Sequence, residues 1–232
     1  FDTDWSPIRD PSGAVAGVLQ TLTEVTERHR VEAALRESQA TQSFLLKLSD
    51  TMRSLTRAAD VKAAACRLLG EHLRANRVFY ADAVDDCWVV GKGHEDDIAP
   101  LPDAPFAMAE YGQWIIEDFR AGRALVVRDM DADPRFSDVE RAAQRTLETG
   151  AALAVPLVKS GALVGMLSVH DREARVWTDQ EVALVADAAN RTWDAIGRVE
   201  GEAAMRASEE RQAFLLKLSD ALRPLQEPAQ VK

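Results

Sequence analysis

Residues 153–169 read LAVPLVKSGALVGMLSV, and this stretch decides the architecture of the chain. Two apolar segments flank the turn residues Lys-Ser-Gly at 159–161, a pattern that predicts a β-hairpin. Shortly after the second segment, Thr178 is followed three positions later by Glu181, the spacing of a helix-initiating capping box. The stretch therefore predicts a sheet whose last strand leads directly into a helix.

The helix predicted to begin at Thr178 covers residues 178–223. Its apolar stripe consists of Val182, Val185, Ala189, Trp193, Ile196 and Val199. At 1.5 Å per residue it would be about 68 Å long, which exceeds the diameter of one domain. We expect it to leave the domain as a coupling helix. The sequence leaves open whether it breaks at Gly197 or Gly201, since a helical glycine costs about 1 kcal/mol relative to alanine.

Upstream of the hairpin, shorter patterns alternate between the helix and strand periods. They predict, in order, a helix at 59–75, strands at 77–83 and 88–90, a helix at 111–120, a strand at 124–128 and a helix within 131–150. In the last helix we expect Val139, Ala142, Ala143 and Leu147 to face inward. This order predicts an α+β fold with an antiparallel sheet and helices on its faces.

An internal repeat is the most specific feature of the sequence. Residues 32–62 align without gaps with residues 202–232, and 18 of the 31 positions are identical, including FLLKLSD at 44–50 and 214–220. Self-similarity at one fixed, long offset indicates a tandem array of domains. We therefore expect residues 224–232 to start a following repeat unit and the chain to be part of a longer protein.

The first copy of the repeat lies in a predicted coupling helix at 26–56. Apolar and polar residues recur there in alternating steps of four and three, which indicates a heptad seam between two helices. We predict a homodimer seam at Val31, Leu35, Gln42, Leu45 and Met52. Packing within a monomeric bundle is the alternative, and the pattern does not distinguish a parallel from an antiparallel dimer.

Before this helix, residues 1–25 predict a β-hairpin around the turn Pro11-Ser12-Gly13. A lone two-stranded ribbon is marginally stable in water. We therefore expect the hairpin to be the end of another, truncated domain.

Three groups of residues carry a resemblance to the GAF domains of bacterial sensor kinases. They are ANRVFY at 75–80, VVRDMDADPRF at 126–136, and the segment from AVPL at 154–157 to RVWTDQE at 175–181. Residues 1–36 resemble the C-terminal end of a PAS domain with its exit helix, through WSPIRD at 5–10 and VTER at 25–28. The resemblance implies a truncated PAS hairpin at 1–25, a GAF domain at 57–180, and a last GAF helix at 181–223 that continues as a coupling helix.

The resemblance also implies a multidomain PAS–GAF sensor protein of the two-component type, with a histidine kinase as the typical parent. FLLKLSD resembles the kinase phosphoacceptor motif, but Asp50 and Asp220 stand where the phosphorylated histidine belongs. No glycine-rich ATP-binding motif follows. We therefore expect this chain to have no enzymatic activity of its own.

Composition restricts the partners. A net charge of −10 argues against a nucleic-acid groove, which requires clustered basic residues. No apolar run approaches the roughly 20 residues that span a bilayer. The two cysteines, Cys66 and Cys87, have neither a disulfide-framework nor a metal-ligand spacing. We expect a cytoplasmic location, no membrane insertion and no metal.

Known GAF ligands leave no clear signature in the sequence. The spaced polar residues of cyclic-nucleotide sites are not recognisable, and neither cysteine has the adjacent histidine expected of a bilin site. His170 is the one plausible haem ligand, and we interpret it as a turn residue. We therefore expect no cofactor.

A small apolar pocket remains a candidate site, because aromatic residues with a few polar groups are typical of ligand pockets. The alternative is that these aromatic residues only form the core. The predicted pocket residues are Tyr80, Trp88, Phe106, Trp114, Asp129, Phe136 and His170.

Together these features predict a sensory and signal-relay module that acts through dimeric coupling helices and through further domains of the same polypeptide. Two alternatives stay open. The GAF domain could bind an unidentified small molecule, or it could be a ligand-free dimerisation scaffold.

Overall fold

A computed structural model describes residues 2–23, 26–102 and 104–222. Contacts divide the chain into two units, Phe1–Leu46 and Lys47–Lys232. The first unit contains the predicted hairpin, with strand β1 (Asp2–Arg9) antiparallel to β2 (Val15–Thr23). Helix α1 (Thr26–Arg53) starts in this unit and ends in the second. It stops three residues before the predicted end, and the predicted repeat start at 224–232 lies outside the described residues.

The second unit follows the predicted order of helices and strands. Its elements are α2 (Ala58–Leu73), β3 (Arg77–Val84), β4 (Cys87–Val90), β5 (His94–Glu95), β6 (Phe106–Ala107), a 3-10 turn (Met108–Tyr111), α3 (Gln113–Arg120), β7 (Leu125–Val127), α4 (Asp138–Thr146), β8 (Ala151–Lys159), β9 (Ala162–Asp171) and α5 (Asp179–Leu222).

One antiparallel sheet organises this unit. Its strand order is β6-β4-β3-β9-β8-β7, and β5 pairs with β3. Helices α2 and α5 pack together and contact β3 and β8, while α3 contacts β7, β8 and β9. Side chains of β3 alternate between the two faces of the sheet. Phe79 and Ala81 lie on the α3 side, because they belong to the core cluster that also contains Ile115 and Phe119 of α3. The predicted α+β fold, an antiparallel sheet between helices, is confirmed.

Two tight turns fix the register of the central strands. Ser160 and Gly161 have φ values of 51° and 79° and join β8 to β9, where Lys159 pairs with Ala162. Asp85 and Asp86, with φ values of 48° and 58°, join β3 to β4 in the same way. Positive φ at both central residues is the geometry that matches the twist of a two-residue hairpin.

Helix α4 corrects one expectation. The predicted inward face included Val139 and Ala142, but Val139 is 78% exposed and Ala142 is also exposed. The buried residue of this helix is Gln144. The capping box formed by Ser137 and Glu140 fixes where the helix begins. In the helix that follows, Gln144 faces the interior and Val139 faces solvent.

The start of α5 is anchored by Arg175. Its guanidinium donates to the Asp171 carboxylate at 2.8 Å, the Glu181 carboxylate at 2.6 Å and the Leu73 carbonyl at 3.1 Å. It also lies over the Trp177 ring, 4.4 Å from the centroid. These contacts tie the first turn of α5 to the end of β9 and to the end of α2.

Glu181 completes the predicted capping box and makes the stability of this anchor depend on pH. Burial raises the pKa of Glu181, but hydrogen bonds from the Thr178 amide and from Arg175 outweigh it, so the net pKa is lowered. A lowered folded pKa stabilises the protein above the unfolded value of 4.5, and this stabilisation is lost as the pH falls through the folded value.

We therefore expect Glu181→Gln to lower the free energy of unfolding by about 1 kcal/mol at pH 7, with a smaller difference from wild type below about pH 4. Urea unfolding at several pH values measures this. Glu209→Gln, at an exposed position of the same helix, is the control and should show no such pH dependence. A difference that stays constant with pH would contradict the assignment.

Helix α5 continues through Gly197 and Gly201 without a break. Its first half is held against the domain by Val185, Ala189, Ile196 and Val199, each less than 5% exposed. From residue 200 to residue 218 every side chain is exposed. The helix therefore extends beyond the layer that it covers.

Candidate functional site

A cavity of about 70 Å³ lies between the sheet and α3. Its walls are mostly apolar and come from several elements, with Phe79 on β3, Ile115 and Phe119 on α3, and Ala152 and Ala154 on β8. The polar groups on its lining side chains are those of Gln144, Ser168 and His170, together with the Tyr111 hydroxyl and the Trp88 indole N–H. An apolar enclosure with a few convergent polar groups is typical of small-molecule sites.

Three of the seven predicted pocket residues line this cavity. They are Trp88, Phe106 and His170. Tyr80 lies on the opposite face of β3, where the Lys62 ammonium is 4.8 Å from the centroid of its ring. The alternation of side chains along a strand explains this, because Phe79 takes the cavity side.

The other three predicted residues belong to neighbouring structure outside the cavity wall. Trp114 and Phe136 pack edge to face at 5.2 Å, and Arg135 lies over the Trp114 ring. Asp129 accepts hydrogen bonds from the Asp131 and Ala132 amides, so it shapes a turn. These aromatic side chains are core, as the alternative interpretation allowed.

Buried polar side chains gather at one end of the cavity. Six polar residues are buried in the described part of the chain, and five of them lie in or beside this end. They are Arg77, Gln144, Thr149, Ser168 and His170. The clustering distinguishes this end from the rest of an apolar core, since burying a polar group is unfavourable unless it finds a partner.

His170 is neutral at this site. Its Nδ1 atom is 3.2 Å from the Thr149 hydroxyl oxygen, and its ring meets Phe79 edge to face at 5.0 Å. Burial, with a contribution from the Arg77 charge, lowers the pKa of His170 to about 3. The ring therefore offers one N–H donor and one acceptor near neutral pH.

Gln144 and Ser168 have unused hydrogen-bonding groups. They are 8% and 1% exposed, and neither side chain has a hydrogen-bond partner among the described residues. Both line the cavity. Such groups are available to a molecule inside it.

Arg77 supports the polar end from behind. It is 2% exposed, and its guanidinium donates to the Leu147 carbonyl at 2.8 Å and to the Ala99 carbonyl at 2.6 Å. Burial lowers the pKa of Arg77, although Glu148 and Glu95 oppose that change. Sequence reasoning missed Arg77 and Gln144. For Arg77, the alternation of β3 that places it on the side of Phe79 was the available signal.

A family model of the GAF domain matches residues 48–196, well over half of the chain. The chain belongs to the GAF domain family. No curated protein matches its sequence.

Solved structures share the GAF fold at low sequence identity. The phycoerythrobilin-bound GAF domain of a cyanobacterial phytochrome is 16% identical with a TM-score of 0.61, covering 70% of this chain and 97% of that one. Free methionine-R-sulfoxide reductase of Neisseria meningitidis, in complex with its substrate, is 15% identical with a TM-score of 0.56, covering 70% and 91%. Bacteriophytochrome RpBphP3 of the photosynthetic bacterium R. palustris is 16% identical with a TM-score of 0.65, and this chain covers 48% of it.

Neither cysteine of the GAF domain lines the cavity. Cys66 lies on α2, fully buried, and burial raises the pKa of its thiol to about 12. Cys87 lies at the start of β4. Within the described residues there is no group of three or more His, Cys, Asp or Glu side chains that could hold a metal ion.

The predicted dimer seam is corrected at one position. Val31, Leu35 and Gln42 are exposed and Leu45 is half-buried. Met52, however, is 2% exposed within the single chain and is therefore unavailable to a partner. The end of α1 belongs to the GAF unit, since the Met52 carbonyl accepts a hydrogen bond from Arg198 of α5.

Among the described residues, no helix has both the length and the hydropathy that a membrane span requires.

Proposed function

We propose that this chain is a sensory and signal-relay module of a cytoplasmic PAS–GAF sensor protein of the two-component type. In this proposal the GAF cavity receives the signal and α5, with α1, carries it onward. The observation that supports it most directly is the position of β8, which has the cavity on one face and α5 on the other.

Strand β8 lies between the cavity and α5, so its alternate side chains face one or the other. Ala152 and Ala154 line the cavity. Leu153 and Val155 alternate with them, are buried, and lie on the face of the sheet that α5 contacts. A change of occupancy that shifts β8 would therefore reach α5 directly. Packed helices have discrete arrangements, so a small shift can become a larger rearrangement.

One feature of the first unit supports the proposed C-terminal end of a PAS domain. Hairpin β1–β2 exposes Trp5, Ile8, Val18 and Leu19, as expected of a ribbon that lacks the rest of its domain. We propose a histidine kinase as the parent protein. Asp50 and Asp220 in place of the phosphorylated histidine support a relay role, without catalysis, for the segment present.

The repeat supports the proposal that a further domain follows α5. Phe44 and Leu48 of the first copy are 6% and 0% exposed. Their counterparts Phe214 and Leu218 in α5 are 63% and 43% exposed. The same sequence is thus covered in the first copy and uncovered in the second, as expected if a second GAF-type domain covers the face of α5 in the longer protein.

We propose a homodimer through the heptad seam that recurs in α5. The offset of 170 carries Leu35 and Leu45 onto Met205 and Leu215, which are 64% and 55% exposed. Burying each leucine or methionine of a seam contributes about 1.5–3 kcal/mol. Leu216 lies beside this seam and is 68% exposed.

We expect Leu215→Glu to weaken dimerisation at least tenfold, because it places a charge in the seam. Leu216→Glu, at an adjacent position that is also exposed, is the matched control and should leave the dissociation constant within about twofold. Sedimentation at a series of protein concentrations measures both. A wild-type chain that stays monomeric at high concentration, or equal effects of the two substitutions, would contradict the seam.

A bilin is not proposed as the ligand, although three of the similar structures carry one in their descriptions. Pockets for drug-sized ligands have volumes of roughly 300–1,000 Å³, and the cavity here is about 70 Å³. A small-molecule ligand or a ligand-free scaffold are the remaining alternatives, and the unpartnered polar groups of Gln144 and Ser168 favour the ligand.

A further inference from the structure

We propose that the GAF cavity binds a small uncharged molecule whose hydrogen-bond acceptor, a carbonyl-type oxygen, lies against Gln144 and Ser168. This inference rests on the sensory role proposed above and specifies the class of ligand. It is carried by the arrangement of donors, charges and space around one end of the cavity.

The first step is the state of Gln144 and Ser168. A polar side chain on a cavity wall that has no protein partner can hydrogen-bond to a molecule inside the cavity. Gln144 and Ser168 are both more than nine-tenths buried, both line the cavity, and both lack partners among the described residues. The fully buried side-chain atoms without a partner in the described part of the chain lie elsewhere, at Arg77 Nε, Tyr80 Oη and Trp114 Nε1. The Gln144 and Ser168 groups are therefore accessible from the cavity, and a polar group at this end can hydrogen-bond to both.

The second step is the tautomer of His170. The Thr149 hydroxyl oxygen is 3.5 Å from the Leu147 carbonyl oxygen and 3.2 Å from His170 Nδ1. The hydroxyl can donate to the carbonyl and accept from Nδ1–H, or donate to Nδ1, so these contacts fit either tautomer of the neutral ring. The Gln144 amide and the Ser168 hydroxyl can each donate with either tautomer, and these two donors suit an acceptor oxygen.

The third step is charge. No lining residue in the described part of the cavity wall is an Asp, Glu, Lys or Arg. Arg77, a buried cation beside this end, does not line the cavity. Its two terminal nitrogens donate to the Leu147 and Ala99 carbonyls, and its Nε atom has no partner among the described residues. A carboxylate inside the cavity would lack a directly paired cation, and an unpaired buried ion costs several kcal/mol. The ligand is therefore uncharged.

The fourth step is size. A cavity of about 70 Å³ has roughly half the volume of the 150 Å³ cavity that holds benzene. It accommodates about three or four non-hydrogen atoms, with the apolar part against Ile115, Phe119 and Ala154. Larger ligands would require the cavity to open.

Three planar probes of equal size, each with about four non-hydrogen atoms, separate these steps. Acetone carries a carbonyl oxygen, isobutene replaces that oxygen with carbon, and acetate adds a charge. We expect NMR titrations of the full chain, observed at the Trp88 indole and the Ala154 methyl, to show acetone binding about fivefold more tightly than isobutene, with no saturable binding of acetate. Isobutene binding as tightly as acetone, acetate binding as tightly, or no acetone binding would each overturn the proposal.

Variants assign the preference to the polar end. Gln144→Leu should reduce the preference for acetone over isobutene by about fivefold without weakening isobutene. Gln113→Leu, an exposed glutamine at the start of α3, is the matched control and should leave both affinities unchanged. Ser168→Ala removes one oxygen atom and gives the same test if Gln144→Leu does not fold. An unchanged preference in a folded variant of either kind would contradict the assignment.

Failure of this ligand class is distinguishable from failure of the sensory role. If acetone does not bind but native mass spectrometry of the purified chain shows another retained small molecule, the ligand class is wrong and the sensory role stands. The sensory role fails if α5 does not respond when the cavity is filled.

Discussion

Leu48→Ala should lower the free energy of unfolding by about 2–5 kcal/mol, because truncating a fully buried leucine removes its contacts and leaves a cavity. Leu48 is 0% exposed. Leu218→Ala should change the free energy by less than about 0.5 kcal/mol, although Leu218 occupies the same place in an identical FLLKLSD segment. Leu218 is 43% exposed. Urea unfolding of the two variants measures the difference.

The pair contains its own control, since helix propensity and local sequence are the same at both sites. A loss at Leu218 as large as that at Leu48 would mean that the end of α5 packs against something in solution, and the assignment of an uncovered face would be wrong. In a longer chain that includes a following GAF-type domain, Leu218→Ala should become as destabilising as Leu48→Ala.

Trp177→Ala should lower the free energy of unfolding by about 3–5 kcal/mol. The indole is 4% exposed, its Nε1 atom donates to the Val127 carbonyl at 3.0 Å, and the Arg175 guanidinium covers its ring. The substitution would remove a large buried side chain and the link between β7 and the start of α5. Thermal or urea unfolding followed by circular dichroism measures the loss.

Two further variants separate the contributions at this site. Trp177→Phe keeps an aromatic ring but leaves the Val127 carbonyl without its donor, for an expected loss of about 1–3 kcal/mol. Trp5→Ala, at a tryptophan that is 61% exposed on the β1–β2 hairpin, should change the free energy by less than about 0.5 kcal/mol. Equal losses at Trp5 and Trp177 would show that the α5 anchor has no special role.

The sheet and the long helix could be predicted because their signals are local. The hairpin at 153–169 combines two apolar strands with a turn, and Thr178 with Glu181 marks a helix start through contacts within a few residues. The continuity of α5 through Gly197 and Gly201 could not be predicted, because helix propensity alone leaves two glycines near the limit. Packing of the first half of α5 against the domain stabilises the helix there.

The candidate site was less predictable because it depends on faces and on distant pairs. Tyr80 was predicted to line the pocket because it is aromatic. Side chains alternate along β3, however, and Tyr80 lies on the opposite side of the sheet from the cavity. Gln144 was missed because an isolated polar residue in a helix resembles a solvent-exposed position. Met52 was assigned to the seam from its heptad spacing, and the structure instead buries it within the GAF unit. Each error concerns which face of a regular element points inward.

The measurement that most directly tests the coupling of the cavity to α5 is amide hydrogen exchange in Ala154→Val, where two added carbons fill part of the cavity. Allosteric coupling of about 1–3 kcal/mol corresponds to at least fivefold changes in equilibrium, so we expect the exchange rates of amides 200–218 to change by about fivefold or more. Ala142→Val, at an exposed position on α4, should leave those rates unchanged. Unchanged exchange along residues 200–218 in a folded Ala154→Val variant would contradict the relay.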